Sequence, residues 1–200
     1  MTSISAKDVA ELRKRTGAGM MECKKALEEN GGDFEKATDW LRARGIAKSE
    51  KRAEKAASEG LIESYIHHNG KVGVLVELNC ETDFVARTDD FRNLAKELAM
   101  HVAFANPLAV SADEIDPAVV EREKAIYLEQ VAQEGKPEAV RARIVEGKLK
   151  KFFSESVLLE QPWVKDDKQT VGDLVKAASG KLGEKVVVKR FVRVALGGTV

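Results

Sequence analysis

The stretch from Lys71 to Arg87, KVGVLVELNCETDFVAR, constrains the fold of this chain more than any other. Val72, Val74, Val76 and Leu78 recur at period two, the pattern of a strand with one face buried. Upstream, Leu61 to His68 is a second strand-like run, and Asn69-Gly70 between the two is a strong signal for a two-residue hairpin turn. Such a loop sets Tyr65 opposite Val74 and Ile66 opposite Gly73. It gathers Leu61, Tyr65, Val72, Val74, Val76 and Leu78 on one face, so a slip of register would turn the whole apolar set outward. The turn that follows, Glu81 to Arg87, is therefore expected to be held rigidly, with Thr82 or Asp83 able to cap a helical turn. Residue types alone leave two readings open. Phe84 and Val85 turn inward and fill the core, as phenylalanine commonly does, or Phe84 is displayed on a stiff scaffold, where binding groups concentrate.

The remainder of the chain reads as α+β. Ser5 with Asp8 is a capping signal, and Val9 and Leu12 carry the stripe of a first helix that stops at Thr16-Gly17-Ala18-Gly19. A second helix spans Met20 to Glu29, and a third runs from Asp33 through Phe34, Ala37, Trp40 and Leu41 to Gly45, together a minimal bundle. Gly17-Ala18-Gly19 is not a phosphate loop, since no strand precedes it and no Gly-Lys-Ser/Thr follows. Ile46 to Gly60 is alanine-rich and charged, which predicts an exposed connecting helix. After the hairpin, a helix capped by Asp90 places Phe91, Leu94, Leu98, Val102 and Ala105 over the sheet and ends at Asn106-Pro107. Asp116-Pro117 opens a helix to Gly135, and Pro137 opens another to Gly147. Lys148 to Leu159 places Phe152, Phe153, Val157 and Leu158 for burial and is broken by the loop Gln161-Pro162-Trp163-Val164. Thr170 and Asp173 box the start of a helix to Gly180. Glu184 to Leu196 is the third strand of a small antiparallel sheet with helices on one side, and it puts Val187 and Phe191 on one face and Val188 and Val192 on the other.

Lysine plus arginine and aspartate plus glutamate both number 33, so no net field draws nucleic acid or an anionic membrane, and partners are met by local patches. No apolar run reaches the length of a membrane span, and the N-terminal residues lack a signal-peptide pattern. Cys23 and Cys80 lie far apart in no ligand spacing, which suits a reducing cytoplasm. His67 and His68 are adjacent in a strand and so point to opposite faces, His101 lies on a helix, and no metal site is expected. No nucleophile elbow, phosphate loop or dinucleotide fingerprint is present. From residues alone a binding protein remains. Its rivals are an RNA-binding module using Arg42 to Lys55 and Arg141 to Lys151, which the zero net charge disfavours, and an enzyme built around the histidines.

Three strings carry a resemblance that goes further. LRKRTGAGMMECKKALEENGGDFEKATDWLRARG, NCETDFVAR and VEGKLKKFFSESVLLEQPWVKDD, in that order, closely resemble segments of the bacterial elongation factor Ts family. The resemblance implies a guanine nucleotide exchange factor for the GTPase elongation factor Tu, with no covalent chemistry and no cofactor. It implies that residues 1–55 form a three-helix domain of ubiquitin-associated type that docks on the GTPase through Arg13, Thr16, Gly17, Ala18, Gly19, Met20, Met21 and Lys24. Residues 56–200 would be the core. Thr82, Asp83, Phe84 and Val85 would enter beside the nucleotide and dislodge Mg²⁺, which reverses the inward reading of Phe84. The single sheet unit resembles the short form of the family, for which a homodimer and a two-plus-two complex are expected, without direct contact to nucleic acid or membrane.

Overall fold

A computed structural model describes residues 4–50, 52, 54–135 and 137–198, the side chains of residues 46 and 48–50 excepted. In chain order the elements are α1 (Ala6–Thr16), α2 (Met20–Glu29), α3 (Phe34–Glu50), β1 (Glu59–Ile66), β2 (Val72–Cys80), α4 (Asp83–Ala86) and α5 (Asp89–Ala105). There follow α6 (Pro117–Gln133), α7 (Glu138–Ser156), β3 (Pro162–Trp163), β4 (Asp166–Thr170), α8 (Val171–Leu182) and β5 (Val187–Ala195). β1, β2 and β5 make the small antiparallel sheet in the order β1-β2-β5, and the α+β class expected from the sequence is the class of the fold. The chain packs as two units. One joins Met1–Leu61, Asn79–Leu94 and Val175–Val187; the other joins Ile62–Leu78, Ala95–Leu174 and Val188–Val200.

In the first unit, Ser5 Oγ accepts Asp8 N–H and Asp8 Oδ2 accepts Ser5 N–H, each at 3.1 Å, so the predicted capping box starts α1. Val9, Leu12, Cys23, Ala26, Leu27 and Ala37 form the buried centre of the three-helix bundle, flanked by Phe34, Trp40 and Leu41. The helix stops read at Gly17, Gly31-Gly32 and Gly135 hold, whereas those read at Gly45, Gly147 and Gly180 lie inside helices. α3 passes through Gly45 to Glu50, and β1 begins at Glu59, so the connecting helix predicted over residues 46–60 does not form as such; its residues 51 and 53 lie outside the described residues. α8 likewise passes Gly180 and ends before Gly183, whose φ is 74°. The reason is packing: a Cβ on Gly180 would lie 2.4 Å from Gly45 O, so these glycines admit a close backbone crossing of α3 and α8.

In the second unit, His67 N–H donates to Val72 O at 2.9 Å and Gly70 N–H to His67 O at 2.8 Å. The hairpin loop is therefore His68–Lys71, longer than the expected Asn69-Gly70 turn, and Gly70 takes the left-handed conformation at φ 67°. Ile66 still lies against Gly73, where an added Cβ would meet its Cδ1 at 3.0 Å. Val74, Val76 and Leu78 are buried as predicted. In β5 the alternation slips at Lys189 and Arg190: Val188 is buried and Phe191 half-buried, while Val192 and Val194 are exposed, so the expected pairing of Val188 with Val192 on one face fails in burial. Ile62, Ile66, Leu75, Val192 and Val194 are all exposed, and Arg190 Nε reaches Glu77 Oε2 at 2.7 Å.

α7 is also longer than predicted, running through Gly147, where the added Cβ would meet open space and neighbouring contacts hold the helix. It packs on α6, with Lys148 Nζ donating to Gln130 Oε1 at 2.9 Å and lying 5.8 Å from the Tyr127 ring centre. The expected loop at Gln161 to Val164 contains β3, paired antiparallel with β4 (Pro162 with Thr170, Trp163 with Asp166) in a second sheet that period-two reading missed, because two residues are too few to show a period. The Thr170–Asp173 box that opens α8 is present in both directions, at 3.2 and 3.1 Å.

Candidate functional site

β2 delivers the chain into α4 through Cys80, Glu81 and Thr82. Thr82 has extended backbone and its Oγ1 accepts Val85 N–H at 3.4 Å, so it, rather than Asp83, is the N-cap of α4. Asp83 pairs with Arg87 across one turn at 2.8 Å. A helix this short offers one inward position, and Ala86 occupies it; Val85 is half-buried. Phe84 is 77% exposed, which settles the two readings left open by residue type in favour of display.

Two carboxylates clasp this turn within the first unit. Glu184 Oε2 accepts Glu81 N–H at 3.1 Å and Thr82 N–H at 3.0 Å, and Glu184 Oε1 accepts the Thr82 hydroxyl at 2.6 Å. In return Glu81 Oε1 accepts Lys185 N–H at 2.7 Å and the Arg52 guanidinium at 3.0 Å. The Lys185 amide, followed by the Arg52 contact, holds the Glu81 carboxyl below its ordinary value. Burial, with the Glu184 charge as a smaller cause, pushes the Cys80 thiol up to about 11, so it stays protonated and its Sγ donates to Thr82 O at 3.1 Å.

The other sequence-predicted residues form the turn between α1 and α2. Gly17, at φ 68°, returns its N–H to Arg13 O at 2.7 Å, and Thr16 Oγ1 donates to Leu12 O at 2.8 Å and accepts Ala18 N–H at 3.3 Å. Buried Cys23 donates its thiol to Ala18 O at 3.6 Å, which ties the turn to the bundle centre. Gly19 caps α2 without a side-chain bond, leaving Met20 at 53% and Met21 at 76% exposure; Arg13 and Lys24 are exposed as well. Arg13, Gly17 and Met20 come together around a shallow concavity of about 490 Å³ that Ala10, Lys14, Asp90 and Lys181 complete. The Lys181 stem lies against Gly17, where an added Cβ would meet its Cε at 2.2 Å, and its Nζ bonds Asp90 Oδ1 at 2.8 Å. Glu184, Arg52 and Lys181 were missed by sequence reasoning. Their bonds reach across long sequence separations and leave no local spacing to read.

The histidines build nothing comparable. His67 and His68, just past the end of β1, meet edge to face at 4.2 Å, against the expectation of opposite faces. His101 is buried, stacked on Trp163 at 5.2 Å with Nε2 3.0 Å from Gln161 Oε1, and burial lowers its imidazole below the usual range. Among the described residues no cluster of three or more His, Cys, Asp or Glu could hold a metal, and no helix is long and apolar enough to cross a membrane.

The family model described as "Elongation factor TS" matches residues 21–198. Elongation factor Ts of Nitratidesulfovibrio vulgaris is 55% identical over 195 residues, covering 98% of each chain. That of Oleidesulfovibrio alaskensis is 53% identical over 197 residues, covering 98% of this chain and all of the relative. Elongation factor Ts of Thermosipho melanesiensis is 56% identical over 194 residues, covering 97% of this chain and 99% of its own. With a family match over most of its length and relatives this similar from end to end, the chain belongs to the elongation factor Ts family of translation elongation factors.

Proposed function

We propose that this chain is a guanine nucleotide exchange factor that binds elongation factor Tu carrying GDP and speeds release of the nucleotide. The observation that carries the reading is Phe84, 77% exposed on a helix too short to move independently of its clasp. The three-helix domain of residues 1–55 docks on the GTPase through Arg13, Thr16, Gly17, Ala18, Gly19, Met20, Met21 and Lys24. The core, residues 56–200, carries Thr82, Asp83, Phe84 and Val85 to the nucleotide. Such a site holds Mg²⁺ in strict octahedral geometry, so small displacements of its ligands weaken it. Phe84 inserts between helices of the partner, where burying its ring contributes about 2 kcal/mol, and Asp83 disturbs the groups that place the metal. No covalent step is needed. Coupling is reciprocal: the factor by which this chain weakens GDP is the factor by which GDP weakens this chain.

The test is GDP release from elongation factor Tu loaded with a fluorescent GDP. Catalytic amounts of the chain are expected to accelerate release, and no acceleration would sink the reading.

The protein works as a cytoplasmic homodimer in a two-plus-two complex. The exposed face bearing Ile62, Ile66, Leu75, Val192 and Val194 supports this, since an apolar sheet face is normally covered. Sedimentation at micromolar concentration is expected to give twice the chain mass of 21.9 kDa, and Val192→Glu to give the monomer. A wild-type monomer, free and bound to the GTPase, rules the dimer out.

A further inference from the structure

The clasp around the Thr82 turn is reciprocal, and its two halves are not equivalent. Glu81 binds a backbone N–H and a guanidinium outside the turn, at Lys185 and Arg52. Glu184 binds the turn itself, through two backbone N–H groups and the hydroxyl of the residue that caps α4. Bonds to a carboxylate at 2.6–3.1 Å belong to the stronger class. Because the Thr82 hydroxyl proton goes to Glu184, the oxygen is left to accept Val85 N–H, and the cap is set in one rotamer. α4 has too few internal bonds to keep an orientation alone, and Phe84 is too exposed for packing to orient it. Its direction is then inherited from Thr82, and that of Thr82 from Glu184.

We infer that Glu184 is the positioning residue of the exchange turn: half-buried behind the displayed side chains, it sets through Thr82 the direction in which Asp83 and Phe84 meet the partner. This rests on the reading that Phe84 drives GDP release.

The experiment follows fluorescent GDP release from elongation factor Tu over a range of concentrations of the full chain. It compares wild type, Glu184→Gln, Phe84→Ala and the double variant. Glutamine keeps the size of Glu184 but loses the charge and can present N–H groups where Thr82 needs an acceptor. Glu184→Gln is expected to lower the maximal release rate about tenfold, the loss of one charge-assisted hydrogen bond. The half-saturating concentration stays within about twofold, because docking is untouched. In the Phe84→Ala background the same change costs clearly less than in wild type, since only its effect through Asp83 remains.

A wild-type maximal rate, a raised half-saturating concentration at unchanged maximum, or full additivity with Phe84→Ala overturns the role of Glu184 and leaves the wedge reading standing. A Phe84→Ala chain that releases GDP at the wild-type rate overturns both. If Glu184→Gln fails to fold, Thr82→Val takes its place in the same cycle. It removes the hydroxyl that both bonds Glu184 and caps α4, and full additivity there overturns the inference equally.

Discussion

Phe84 and Phe91 stand on consecutive helices of one packing unit and share little beyond their side chain. Phe91 is fully buried in the first turn of α5, and Phe84 is 77% exposed on α4. α5 is long enough to have a buried stripe, at Phe91, Leu94, Leu98 and Val102, and the helical period puts Phe91 on it. α4 has no stripe. Its one buried residue is Ala86, and its orientation comes from hydrogen bonds at the cap rather than from packing. The difference shows how a small protein can display a large apolar ring: a small residue takes the inward position and carboxylates hold the backbone, so the ring is not needed for stability.

If that account is right, the two rings fail in opposite assays. The largest effect on the fold is expected from Phe91→Ala, which should lower the unfolding free energy by about 3–5 kcal/mol through lost burial and a residual cavity. Urea denaturation measures this, and the fraction that remains folded should release GDP from the partner at the wild-type rate. Next comes Phe84→Ala, expected to slow catalysed GDP release about 30-fold, the equivalent of some 2 kcal/mol of ring burial. Its unfolding free energy should move by no more than about 0.5 kcal/mol, as for other exposed positions. A Phe84→Ala chain as unstable as Phe91→Ala would erase the contrast.

A smaller effect separates the two by pH. The Glu81 carboxyl titrates below its ordinary value of 4.5 because the Lys185 amide and then Arg52 favour the charged form. A native value below the unfolded one means that the stabilisation is whole above pH 4.5 and is lost as pH falls through the native value. Acid should therefore loosen the clasp. The Lys185 amide resonance is expected to shift with a midpoint below pH 4.5, while the Phe91 ring resonances stay in place. A Lys185 shift centred above that value would mean that the bond to Glu81 is not maintained.

Local pattern by itself determined much of this protein. The capping boxes at Ser5 and Thr170, the buried face of β2 and the stripe of α5 follow from spacing, because a short polar side chain or an apolar period acts within a few residues of itself. The strings TGAGMM and TDFVAR carried the resemblance to the family to which the chain belongs. Tertiary structure alone decided the rest. Gly45 and Gly180 looked like helix stops and are instead the crossing of α3 and α8, since a glycine that ends a helix and one that admits a neighbour are the same residue in a string. Residue type alone favoured an inward Phe84 and left the displayed reading open. The turn that displays it is held by Glu184, which approaches only after folding brings distant segments together, and bonds of that range leave no trace in local spacing.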